Sequence, residues 1–243
     1  MKRTRTTLMF LACLMATTAT AWAQEEEAPF DYANEWIWGI GKNTNSRLLG
    51  STFVRYSLRA KEGVYQTFAL ELANVKHPQE VKQGPLGSAG FIVGKSNYLF
   101  PIRLQYGRDW VLFNKAKEQG VQVNGGVSAG PTLGLVTPYY IIYQVSGEAD
   151  VTQQYDPAVH TVIENILGSA GPLTGLAESR VVPGINLRAS ANFEFGVFKT
   201  RVSGFEAGVM LEAYTQSITL LPRARSIQFY PSAYIALYYG MRN

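Results

Sequence analysis

The chain has 243 residues, 47% of them hydrophobic and 16% charged, with 22 basic against 18 acidic side chains. Three of the cations, Lys2, Arg3 and Arg5, precede an apolar run from Leu8 to Met15 and the small-residue site Ala21-Trp22-Ala23, the pattern of a secretory signal; its removal leaves 19 basic against 18 acidic, about +1, and with it goes the composition argument for a nucleic-acid partner. Beyond the signal there is no apolar run of about 18 residues to make a transmembrane helix, and no cysteine to make a disulfide, a redox thiol or a thiolate metal site.

Residues 1–23 therefore read as a signal peptide, 24–34 as a periplasmic lead-in opened by Glu25, Glu26 and Glu27, and 35–243 as one domain. Cys13, with Phe10-Leu11-Ala12 before it, leaves a lipoprotein signal as the alternative, against which the later Ala21-Trp22-Ala23 site stands.

In chain order, a first strand at 35–42 carries Trp36, Trp38 and Ile40 on one side and glycines on the other. Asn43 opens a loop. The second strand, 50–60, alternates Thr52, Val54, Tyr56 and Leu58 against Arg55, Ser57 and Arg59. It turns tightly at Lys61-Glu62-Gly63 into a third, 64–75, with Phe68, Leu70 and Leu72 opposite Thr67 and Glu71. A Pro- and Gly-bearing stretch, 76–96, leads to the fourth strand at 97–110, which sets Tyr98, Phe100, Ile102, Leu104 and Tyr106 against Arg103 and Gln105. After a polar turn at 114–119, the fifth strand starts at Gly120 and continues toward Tyr143; Gly130-Pro131 inside it predicts a bulge or bend.

Residues 144–179 form the longest irregular segment. Inside it, Asp156 can cap a helix begun by Pro157, with Val159, Val162, Ile163, Ile166 and Leu167 on one side and Gly168 past its end: a short amphipathic lid packed on the mouth of the domain or, less readily, docking a partner helix. The sixth strand, 180–196, alternates without a break for about fifteen residues, Val181 to Phe195 on the apolar side and Asn186, Arg188, Asn192 and Glu194 on the polar one. Turn 197–201 leads to the seventh strand, 202–215, with Phe205, Val209 and Leu211 opposite Glu206 and Glu212. Loop 216–226 precedes the eighth, 227–240, with Phe229, Ile235, Leu237 and Tyr239 opposite Tyr230, Ser232, Tyr234 and Tyr238.

A half-buried strand in water needs only about 5–6 residues; alternation of this length suits strands with lipid on one side and a polar lumen on the other. Eight strands joined alternately by short turns and long loops close without free edges. The fold expected is thus all-β, an eight-stranded antiparallel up-and-down transmembrane β-barrel with long extracellular loops and a short helix in the longest. Its partners are outer-membrane lipids and, through the outer loops, an envelope protein.

On the polar sides Arg55, Arg59, Arg103 and Arg188 stand against Glu71, Glu194, Glu206 and Glu212, with Gln105, Asn186, Asn192 and Tyr234 between them. Buried charge without partners is costly, so this balance reads as a lumen filled with structural ion pairs rather than a pore or a proton relay. His77 and His160 fall in outer loops. Asp150, Asp156 and Glu164 are near His160 in sequence, but no ligand spacing accompanies them, so no catalytic, cofactor or metal residue is assigned and the histidines read as solvated. Tyr139, Tyr140, Tyr238 and Tyr239 read as interfacial girdle residues.

Lys95-Ser96-Asn97-Tyr98, Gly130-Pro131-Thr132-Leu133-Gly134-Leu135 with Pro138-Tyr139-Tyr140, Val181-Val182-Pro183-Gly184 and the terminal Gly240-Met241-Arg242-Asn243 resemble a family of small outer-membrane β-barrel proteins from Bacteroidota, barrels of the OmpA/OmpX kind. The resemblance implies location and fold and transfers no catalytic residue. The end departs from the usual terminal aromatic, with Tyr239 four positions short. The expected function is a structural or interaction role in the outer membrane, as a subunit of an envelope or secretion assembly. Two rivals stand beside it: an outer-membrane acyltransferase- or protease-like enzyme with a site at the extracellular rim, and a soluble lipocalin-like lipid binder with its apolar faces inward.

Overall fold

Long period-2 stretches dictate extended chain, and in the computed structural model, which describes residues 32–46, 50–83, 90–114, 120–145, 149–195 and 200–243, they form a closed ring of eight strands. The expected signal segment, residues 24–31 of the expected lead-in and residues 115–119 and 196–199 lie outside the described residues. The strands are β1 (Asn34–Asn43), β2 (Ser51–Lys61), β3 (Val64–Ala73), β4 (Asn97–Phe113), β5 (Gln122–Pro138), β6 (Arg180–Phe195), β7 (Arg201–Ile218) and β8 (Ile227–Arg242). Each pairs antiparallel with its neighbours in sequence. β8 returns to β1, with Trp38 opposite Tyr239, so no strand of the ring keeps an unpaired edge. The first and last described residues meet at the short-turn end, where the Ala33 amide donates to the Asn243 carbonyl.

Closure makes the two faces of each strand unequal. Ile185 is 67% exposed and Leu237 65%, whereas Glu206 and Arg103, on the inward faces, are 0% and 1% exposed. The lipocalin-like alternative required Trp36, Trp38 and Phe229 inside; all three stand outside. Inward space is rationed between aromatic rings and glycines: a Cβ at Gly134 would lie 2.6 Å from the Tyr214 ring, and one at Gly208 would lie 2.7 Å from the Tyr234 hydroxyl. Gly63, at φ +65°, takes the left-handed position in the β2–β3 turn that a side chain would strain.

Above the ring, Tyr140–Tyr143 forms the centre of a three-stranded sheet between Ile166–Ser169 and Val151–Gln154, and Lys82–Gln83 pairs with Phe91–Ile92. The fifth strand therefore does not run unbroken to Tyr143: it ends at Pro138, and the next strand leaves the barrel wall. The bulge anticipated at Gly130-Pro131 is absent. The β4–β5 register is continuous there, with only the Leu104 and Gln105 pairings missing opposite a proline that has no N–H to give; the shift comes at Val111–Phe113 instead.

The helix expected after Asp156 does not form. Asp156 accepts a bond from the Ala158 amide and its carbonyl takes the His160 amide, which makes a single turn. The chain then opens, and a lone 3₁₀ turn at Ile163–Asn165 runs into the strand Ile166–Ser169. Val159, Val162 and Ile163 are β-branched and stiff in a helix, a segment this short barely holds a helix alone, and Ile166 gains more by packing with Tyr139, Tyr155 and Ile141 under the loop sheet. The rest of the apolar stripe, Val159, Val162, Ile163 and Leu167, is left exposed rather than packed on the mouth.

Candidate functional site: a lumen of ion pairs

Inward positions of β2, β3, β4, β6 and β7 bring the lumen charges together at large sequence separation. Arg103 grips Glu212 with two parallel bonds of 2.9 Å and reaches Glu71 at 3.3 Å. Arg188 stands 3.5 Å from the other oxygen of Glu71 and 3.4 Å from Glu206, and also donates to Gln105 Oε1 at 3.1 Å. Glu206 accepts from Arg55 and from the Tyr234 hydroxyl, and Arg55 continues to Asp109 at 3.6 Å. The guanidinium of Arg188 lies 4.1 Å over the Tyr234 ring. The result is one alternating string, Glu212–Arg103–Glu71–Arg188–Glu206–Arg55–Asp109. Every guanidinium in it sits between two carboxylates, the arrangement that offsets desolvation of buried charge.

A second, shorter string lies at the short-turn end. Arg242 of β8 bonds both Glu35 and Glu194; Asn124 donates to Glu194 at 2.8 Å, and Gln122 to Asn124 at 2.9 Å. Tyr32 stacks on Tyr65 at 4.2 Å and lies beneath the Arg242 guanidinium at 4.3 Å, so the last described residues of the lead-in pack across the barrel's lower mouth. Asn186 donates to the Gly130 and Pro131 carbonyls and Thr132 Oγ1 across the proline's gap in the ladder, while its Oδ1 accepts from Gln105 Nε2.

Among the eight charges singled out from the sequence, Arg55, Glu71, Arg103, Arg188, Glu194, Glu206 and Glu212 are inward and buried. Arg59 is not: two residues nearer the turn than Ser57, it has run past the enclosed lumen and is exposed. Asn192 is inward, yet its amide finds no hydrogen-bond partner among the described residues. Glu35, Asp109 and Arg242 join the strings beyond those eight. Their signal was present as inward parity, on β1 beside Ile37, on β4 with Arg103 and Gln105, and on β8 with Tyr238.

At the loop end the interior turns apolar. Leu99, Val136 and Val182 face inward from β4, β5 and β6, and Leu220 closes over them from the loop after β7, with Val75 and Ile218 beside it. The loop is pinned there by the Ser96 amide on the Leu220 carbonyl and by Asn97 on the Thr219 carbonyl, both at 2.9 Å. A stopper of buried side chains thus caps the charged column.

The histidines are buried, not solvated, because the loops fold on themselves. His77 Nδ1 accepts the Gln79 amide and lies beside Glu80, which pairs with the buried Lys95 at 2.5 Å; His160 stands edge-on to Tyr143, its Nδ1 3.0 Å from the Asp156 backbone. Of the four tyrosines with girdle-like positions in the sequence, Tyr139 is in the core under the loop sheet, where its hydroxyl accepts the Ile92 amide, and Tyr238 points into the lumen; Tyr98, on the outward side of β4, is buried beside Tyr139. Tyr140 donates to both oxygens of Glu178 at 2.8 Å, and that carboxylate raises the phenol above its ordinary value. Tyr239 alone keeps the outward place, edge-on to Trp38 at 5.3 Å.

No protein-family model matches the sequence, and no curated protein matches it. Among solved structures the chain is similar to Neisserial surface protein A, with 10% identity over 86% of this chain and 96% of that one at a TM-score of 0.39. It is similar to the N-terminal β-barrel domain of Pseudomonas aeruginosa OprF, with 9% identity over 87% and 98% at 0.37. It is also similar to the Yersinia pestis attachment invasion locus protein Ail, solved with the heparin analogue sucrose octasulfate, with 8% identity over 86% and 96% at 0.35. The barrel itself rests on this chain's own strand register, which closes from β8 to β1.

Proposed function

We propose that this protein is an integral outer-membrane barrel that does not conduct and that acts as a scaffold, offering its outer loops to a partner in an envelope assembly. The observation that carries the reading is the opposite sorting of two faces of the same strands, a wall of exposed Leu, Ile, Val and aromatic side chains around a column of buried ion pairs. Water would reward the reverse arrangement; hydrocarbon rewards this one. Residues 1–23 would direct export and be removed, and the motifs from Lys95 to Tyr98 and from Gly130 to Leu135 would place the chain with the small barrels of Bacteroidota.

Carbonate washing of membranes tests the location: the protein is expected to stay in the pellet, and release into the supernatant would sink the proposal. Ile235→Arg, on the lipid-facing side of β8, is expected to cost about 2–4 kcal/mol if it lies near the midplane, and to lower the heat-modifiable folded band in gels. In planar bilayers the purified protein is expected to be electrically silent, since Leu99, Val182 and Leu220 fill the mouth. Crosslinking in intact cells followed by pull-down tests the scaffold role, with one stoichiometric neighbour expected.

A further inference from the structure

The outer wall is not uniform. On β1 to β4, Trp36, Tyr56, Phe68 and Tyr106 are successive register partners, so their rings make a continuous outward row, with centroids 4.5 Å apart for Trp36 and Tyr56 and 5.2 Å apart for Phe68 and Tyr106. One step along each strand toward the loop end, Val54, Leu70 and Leu104 make a second row. Between the rows the wall drops to the main chain of Ala69 and Gln105, and at β5 it meets only the small Ala129, Gly130 and Pro131. The cleft so formed has a volume of about 740 Å³ and an almost wholly apolar lining.

The geometry points to this cleft as a seat for one acyl chain of a phospholipid in the inner leaflet, an inference that rests on the bilayer reading above and deepens it. Neighbouring strands lie about 4.8 Å apart, so a groove crossing from β1 to β5 is roughly 19 Å long. Because spanning strands tilt by about 45°, a groove across them is inclined by a similar angle and climbs roughly 13 Å, about one leaflet's share of the apolar band. It begins low, at Trp36 just inside the short-turn end of β1, and ends near mid-height at Ala129 in β5. A lining with so little polar surface suits a hydrocarbon tail and gives a sugar or headgroup nothing to bond. Rigid rings on one bank and branched aliphatics on the other gain dispersion contacts from a chain laid between them.

Native mass spectrometry tests this on the whole barrel, reconstituted in vesicles of phosphatidylethanolamine and phosphatidylglycerol and then exchanged into mild detergent. The wild type is expected to retain one phospholipid per chain. Ala129→Trp, which fills the cleft from its shallow end without touching the lumen, is expected to lower that occupancy about tenfold, and Val209→Trp, on β7 away from the cleft, to leave it unchanged. Leu70→Trp fills the same cleft from the opposite bank and serves if the first variant fails to fold. Equal retention by wild type and filled variants, or no retained lipid at all, would overturn the inference while leaving the bilayer reading intact. So would a dimer lost on filling the cleft, since a second copy would then be the occupant. Partition of the wild type into the aqueous phase would remove the bilayer reading itself.

Discussion

Two regions of one interior solve burial in different ways. In the middle of the barrel, seven charged groups form a string in which each guanidinium is held between carboxylates. At the loop end Leu99, Val136, Val182 and Leu220 pack an apolar cluster against the rings of Tyr214 and Tyr230. The first region is unforgiving of single changes, because deleting one member leaves its neighbours charged and dry. The second loses contacts in proportion to the volume removed. The comparison separates specificity, which the ion string imposes on strand pairing, from sealing, which the stopper supplies wherever the sum of side chains fits.

The largest expected effect comes from the shared carboxylate. Glu206→Gln leaves Arg55 and Arg188 without their common partner and is expected to cost about 3–5 kcal/mol in denaturant unfolding followed by gel mobility. That cost is expected to be equal at low and high salt, because ions do not screen a closed lumen; a strong salt dependence would mean the column is wet. Leu99→Ala in the stopper is expected to cost about 2–5 kcal/mol without disturbing the string, and any conductance it opened would show that the stopper, not the ion pairs, seals the barrel. The smallest effect belongs to Arg59→Ala. Exposed near the β2–β3 turn, it is expected to change stability by less than about 0.5 kcal/mol, in contrast with Arg55 two inward steps away.

How much of this was legible in advance varied with distance along the chain. The unbroken alternation of β6 assigned Arg188 and Glu194 to one side and Leu187 and Phe195 to the other, since side in a strand is a property of parity alone. Parity could not say that Arg59 had passed the end of the enclosed space, because where a lumen ends depends on how neighbouring strands are staggered. Nor could it find the ladder's local repair at Pro131, where Asn186 of another strand bonds the carbonyls. In the loops it misled. The stripe from Val159 to Leu167 has helical spacing, but a tertiary competitor, the sheet built on Tyr140–Tyr143, took Ile166 and left the rest outside. His77 and His160 read as solvated because loop residues usually are; these loops fold into a small core of their own.

By itself the sequence determined eight alternating segments, the side of each strand that carries the apolar residues, and the residue types that fill the middle, all local consequences of a two-residue period. Only the tertiary structure decided that Arg103 takes Glu212 and Glu71, that Arg242 reaches back to Glu35 beside the first strand, and that Leu220 corks the mouth. Those pairings join residues more than thirty positions apart. They follow from the stagger that closing the ring imposes on all eight strands at once, which no single stretch of chain contains.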